Sequence, residues 1–138
     1  MSSGLDNTLT IRLSFLEERI LEMKRILSSP GYQGHFYALI RDLSSQDRQE
    51  IEALLDKVLH HLALIKSRIP TPPREERISH ILTGMASTTL VSCLEMDPKR
   101  MAGYGGDSPH YRSLWVEEME PIRALLQTLA QKAEKARK

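Results

Sequence analysis

Aromatic rings make up only 5% of this chain, cysteine occurs once, and 19 basic residues stand against 18 acidic ones. Each shortage excludes something. Few rings leave Leu, Ile, Val and Met to supply most of the core volume, a composition suited to helix packed on helix. The single thiol, Cys93, rules out an internal disulfide framework and any zinc site built from several thiolates; its place in an apolar stretch makes it a buried, inert side chain. A net charge of +1 withholds the broad basic footprint that nucleic acid or an anionic membrane requires. It also sets little repulsion against self-association. The opening residues MSSGLDNTLT lack the basic and then apolar order of a secretory leader, so a cytoplasmic chain is expected. Membrane-length apolar runs are missing too. The uncharged run Ile81–Leu94 has fourteen residues (ILTGMASTTLVSCL), whereas a bilayer span needs about 20.

What the chain does have is helical periodicity. Leu9, Leu13, Leu16, Ile20, Met23 and Leu27 recur at 4-3-4-3-4 spacing, the seam of a helix that packs along one side. This predicts a first helix over 8–28, capped by Asn7 or Thr8 and stopped by Pro30-Gly31. A second seam, Ile51, Leu55, Val58, Leu62, Ile65 and Ile69, predicts a helix over 46–69 with Ser44 or Ser45 as cap. Pro70-Thr71-Pro72-Pro73 stops it. Because Thr71 can cap and prolines fit a first turn, a third helix is expected over 72–96, turned back on the second as a hairpin. Residues 97–108 read as a glycine-rich loop, and Ser108-Pro109 as a helix start. Pro121 should divide the C-terminal stretch into a short turn near 110–118 and a last helix over 121–136. Trp115, Met119, Ile122, Leu126, Leu129 and Ala133 carry its seam. A further short helix is expected over 35–43. With no strand-like alternation, the expected fold is all-α: one helical domain, an antiparallel four-helix bundle.

The chemistry in the sequence is sparse. Asp56/His60 and Glu76/His80 have the i,i+4 spacing of a helical metal pair, but the di-iron Glu-x-x-His signature is absent. No metal and no cofactor is expected. Gly103, Gly105 and Gly106 precede the capped start at Ser108, with His110 and Arg112 just beyond; a glycine-rich loop entering a helix can present amides to an anion. The motifs Gly31-Tyr32-Gln33-Gly34 and Gly103-Tyr104-Gly105-Gly106 echo each other. Tyr32, Phe36 and Tyr37 come after the first helix, and Tyr104, Tyr111 and Trp115 after the third. In an up-down bundle both sets lie at one end, where they would frame a ligand pocket.

Arg74 and His80 stand in an Arg-x5-His spacing. The pair resembles the Arg-x4-6-His motif of the HEPN family, helical bundles that include metal-independent RNases. The resemblance covers two residues and implies that Arg74 and His80 would act on a phosphate at a dimer cleft.

The principal expectation is nevertheless an interaction or scaffold protein without enzymatic activity, forming a homo-oligomer, most simply a dimer. The third helix has no charges for four turns, so its second side, with Leu90, Val91 and Leu94, needs a lid or a second subunit. A protein partner is compatible with such a surface; membrane and nucleic acid are not expected. The alternative is a phosphate-handling or RNA-cleaving helical enzyme using Arg74/His80 or the Gly103–His110 loop.

Overall fold

The computed structural model describes residues 3–69 and 71–136. The fold is all-α, with five α-helices among the described residues: α1 (Ser3–Leu27), α2 (Ser45–Arg68), α3 (Ile78–Leu94), α4 (Pro109–Leu114) and α5 (Glu120–Ala136). A two-stranded ribbon, β1 (Tyr32–Gln33) and β2 (Ala38–Leu39), lies between α1 and α2. No described helix is long and apolar enough to cross a membrane. The sequence reads as one helical domain, while the contacts group it into two compact units, Met1–Arg74 and Glu75–Lys138.

In the first unit α1 and α2 form an antiparallel pair. The Thr10 and Thr71 hydroxyls share a hydrogen bond of 2.5 Å near one end, and Lys24 Nζ meets Asp56 Oδ1 at 2.6 Å toward the other. The pair is closed by Ile20, Leu55 and Leu62, all buried and all on the expected seams. The seams are only half used, since Leu16 and Met23 are each 46% exposed. Ser44 caps α2 as expected, its Oγ accepting the Asp47 amide at 3.0 Å.

Three boundaries differ from expectation here. Helix α1 starts near residue 3 and runs through Asn7 and Thr8, with Asp6 in its first turn favouring the dipole. The helix expected over 35–43 is replaced by the ribbon, paired Tyr32 with Leu39 and Gln33 with Ala38. Two glycines account for that. Gly31 has φ +94°, turning the chain into β1 in a conformation a side chain resists. Gly34 donates its amide to the Tyr37 carbonyl at 2.7 Å, and a Cβ there would lie 2.9 Å from that oxygen.

The third difference is the segment 71–77, which is extended rather than the first turns of a helix from 72. Each residue before a proline is pushed out of the α region, and unit-one contacts then hold the strap. Arg74 Nε donates to Ser14 Oγ at 2.8 Å, its Nη2 pairs with Glu18 at 3.1 Å, and its guanidinium lies 4.6 Å from the Phe15 ring centre. Lys66 Nζ donates to the Thr71 carbonyl. The short helix-to-helix connection expected at the prolines is therefore replaced by an extended strap, and α3 begins only at Ile78.

In the second unit the most extensive packing is between α3 and α5. Ala86 and Cys93 are 4% and 3% exposed, with Ser79, Thr83 and Leu90 half-buried. These five positions repeat at 4-3-4-3 spacing, so α3 packs through a stripe of mostly small side chains that lets its neighbour approach closely. The large residues point elsewhere: Ile78 is 74% exposed and Met85 62%.

Pro121 does not divide the last helix. The chain passes through a π-helical turn, Trp115–Met119, between α4 and α5, and the Glu120 amide donates five residues back to the Trp115 carbonyl. Proline has no amide to offer the usual acceptor and its ring crowds that carbonyl, so widening the turn keeps the helix continuous. The wider turn also shifts the packed stripe. Trp115 is buried and Met119, Leu126 and Ala133 are half-buried as the seam predicts, but Ile122 and Leu129 are exposed, with Arg123 and Ala130 half-buried instead.

Candidate functional site

The residues singled out from the sequence fall into separate surroundings. Tyr32, Phe36 and Tyr37 all stand on the ribbon of the first unit, and Phe36 at its tip is wholly exposed. In the second unit Tyr104 is 86% exposed, Tyr111 is half-buried with its hydroxyl donating to the Met96 carbonyl, and Trp115 is 7% exposed. Within each unit the aromatics point to different tasks rather than lining one cavity.

The Gly103–His110 loop is built around its own backbone. Ala102–Tyr104 forms a 3-10 turn, and Gly105 (φ +87°) reverses the chain after it. The amides of Tyr104 and Gly106 both donate to the Met101 carbonyl, at 2.9 and 2.8 Å. Those of Gly105 and Ser108 donate to Ala102 and Gly105. Four amides of the segment are thus engaged inside the loop. Here glycine serves close approach: a Cβ on Gly106 would lie 2.7 Å from the Met101 carbonyl carbon. The echo between the two Gly-Tyr motifs is one of letters, since one forms a ribbon and the other a 3-10 turn. Ser108 does cap α4, its Oγ accepting the Tyr111 amide at 3.2 Å with Pro109 at the first position. His110 is exposed, and Arg112 borders a cavity between the loop and the Trp115 turn.

That cavity, about 820 Å³, holds a cluster the sequence reading did not anticipate. Trp115 Nε1 donates to Glu120 Oε1 at 2.8 Å, and Arg123 donates through Nε to Glu120 Oε2 at 2.9 Å. The Arg123 guanidinium, and next the Trp115 indole N–H, hold the Glu120 carboxyl below its ordinary value. Trp115 and Glu120 are five residues apart, the spacing a π turn brings onto one side; proline one residue later was the available signal.

Arg74 and His80 do not share a helix. Arg74 lies in the extended strap, engaged with Ser14, Glu18 and Phe15, whereas His80 is exposed in the first turn of α3. Glu76 also precedes α3, so Glu76/His80 lacks the helical i,i+4 geometry. Asp56 is held by Lys24, and that carboxylate in turn raises the Lys24 amine above its usual value. His60 stands edge-on to His61 at 5.8 Å. No group of three or more His, Cys, Asp or Glu residues is placed to hold a metal among the described residues.

The third helix offers the most distinctive surface. From Ile81 to Leu94 it has no acidic or basic residue; His80, in the first turn, is the one such side chain of the helix. On one flank Ile78, Leu82 and Met85 are 74%, 45% and 62% exposed; on the other Val91 and Leu94 are 54% and 36% exposed. Leu90 lies on the packed stripe with Ala86 and Cys93. Four of its hydroxyls are already satisfied: Thr83, Thr88, Thr89 and Ser92 each donate to the carbonyl four residues back, at 2.7, 3.0, 2.7 and 3.3 Å. The flank of Ile78, Leu82 and Met85, with Thr89 and Ser92 beside it, can therefore leave water without stranding a hydroxyl donor.

Two further cavities lie in the first unit. One, about 430 Å³, runs between α1 and α2 under the strap and is bordered by Lys66 and Arg74. The other, about 310 Å³, sits between the end of α1, the chain leaving β2 and the start of α2. No family profile, no curated protein and no solved structure matches this chain.

Proposed function

We propose that this chain is a helical interaction protein without enzymatic activity, and that it self-associates through the uncharged surface of α3. The observation that carries the reading is exposed area. The chain exposes 11235 Å². A compact monomer of its 15.7 kDa would expose about 7,300 Å², and two separately compact units of its length about 8,800 Å² together. The surplus of more than about 2,000 Å² per chain is what an extensive permanent interface removes from water. Among the described residues only six hydrophobic side chains are buried, and none of the large ones is fully so.

The flank Ile78, Leu82 and Met85 combines large apolar groups, self-satisfied hydroxyls and no charge, so its burial has little desolvation cost to offset. Each of these side chains contributes roughly 1–2 kcal/mol when fully covered. A second copy provides the same surface twice, as a two-fold dimer requires.

Sedimentation velocity at micromolar concentration tests the reading. The wild-type chain should sediment as a dimer or larger, and Leu82→Lys/Met85→Lys should sediment as a monomer with undiminished helical circular dichroism. A wild-type chain that stays monomeric at tens of micromolar would refute it.

A further inference from the structure

We infer that the 310 Å³ cavity of the first unit is a binding site for a small amphiphilic anion, an unbranched alkyl chain ending in a carboxylate or phosphate. The site is distinct from the α3 surface and does not depend on self-association. Its volume lies at the lower end of the range for small-molecule sites. Its wall is supplied by Met23 and Leu27 at the end of α1, Leu39 and Leu43 around the chain leaving β2, and Leu55 in α2. These elements meet there because Gly31 turns the chain sharply after α1 and the ribbon returns it toward the cap of α2.

The polar groups at the cavity are few and unbalanced. Arg41 and Arg48 border it together with one carboxylate, Asp42. Neither guanidinium makes an ion pair or side-chain hydrogen bond among the described residues. Arg48 is half-buried all the same. A cation drawn partly out of water beside aliphatic walls is unfavourable unless an anion joins it. Two arginines against one aspartate leave net positive charge to be matched, which fits an anionic head. Guanidinium forks suit both carboxylate and phosphate oxygens. Along the rest of the wall the side chains, Ser29 apart, are aliphatic or methionine, which suits a hydrocarbon tail.

The test is an amide chemical-shift titration of the full chain with dodecanoate, dodecyl phosphate and dodecanol, each below its aggregation limit. Dodecanoate should give saturable shifts confined to residues 23–31, 39–43 and 48–55. Dodecanol, with the same tail and no charge, should bind about tenfold more weakly or less. Arg41→Gln/Arg48→Gln should lose about tenfold for both anions and little for dodecanol. The tighter of the two anions identifies the head group the site prefers. Leu43→Trp, at a half-exposed wall position, should block all three ligands. Absence of saturable shifts in this set overturns the inference. So does equal binding of dodecanol and dodecanoate to the wild-type chain, which would be apolar adsorption only; that comparison needs no variant to fold.

Discussion

Met85 and Ala86 are neighbours on α3 with opposite surroundings, 62% and 4% exposed, and exchanging their sizes one at a time tests how this helix packs. Methionine and alanine differ by only a few tenths of a kcal/mol in helix propensity, so packing decides the outcome. Ala86→Met pushes three more heavy atoms into the stripe facing α5, next to the half-buried Thr83 and Leu90. Overpacking of this kind costs about 1–3 kcal/mol. Met85→Ala removes atoms that are mostly in water already and should cost less than about 1 kcal/mol. Trp115, the chain's one tryptophan, lies in the second unit and reports its unfolding. With a urea dependence of roughly 2 kcal/mol per molar, Ala86→Met should lower the fluorescence midpoint by about 1 M, and Met85→Ala by a few tenths. The comparison belongs at the lowest workable protein concentration. If Met85 lies in a dimer interface, its alanine variant falls further behind wild type as concentration rises, because association stabilises by mass action. Equal midpoint losses at low concentration, or a larger loss for Met85→Ala, would refute packing through the small-residue stripe.

Three more outcomes rest on the geometry. Gly106→Ala should destabilise the second unit by about 1–3 kcal/mol, since the new methyl meets the Met101 backbone, whereas Gly103→Ala meets nothing within 4 Å and should be nearly neutral; thermal melts of the two variants decide it. The Glu120 carboxyl is held below its ordinary value of 4.5, so its stabilising contribution is present above that value and disappears as pH falls through the lower folded value. Trp115 emission should therefore change below pH 4.5 in the wild type, and Glu120→Gln should flatten that transition. Ser44→Ala removes the oxygen that accepts the Asp47 amide and should cost about 1 kcal/mol in the first unit, visible as a lower urea midpoint by circular dichroism.

The readable parts of the fold were those fixed by neighbours along the chain. The helical recurrence of leucine and isoleucine placed α1 and α2, because a helix repeats its buried side regardless of what covers it. Ser44 and Ser108-Pro109 announced the starts of α2 and α4, because a cap bonds an amide a few residues along the chain. The uncharged character of α3 and the burial of Cys93 were also legible. The ribbon could have been suspected from Gly31 and Gly34, with the aromatic residues beside them, but His35–Leu43 is apolar enough to pass for a helix. None of the candidate sites was readable in the same way. The Gly103–Gly106 loop suggests an anion cradle until its amides are seen donating to Met101 and Ala102, and Arg74 suggests chemistry until its guanidinium is seen against Ser14, Glu18 and Phe15.

The amino-acid sequence by itself determined that the chain is helical, where most helices lie, and that one of them carries no charge. Only the tertiary structure decided which side of that helix is used. The sequence marked Leu90, Val91 and Leu94 together as a side in need of cover, whereas the packed stripe takes Leu90 with Ala86 and Cys93 and leaves Val91 and Leu94 outside it. Hydrophobicity along a chain records how much surface must leave water, but close helix approach depends on side-chain volume at the crossing. The same holds at Pro121. Its missing amide was plain in the sequence, yet the choice between breaking the helix and widening it into a π turn depended on tertiary context: Trp115 is buried there and donates to Glu120. The surface left over, large, uncharged and internally satisfied, is where the second copy is proposed to bind.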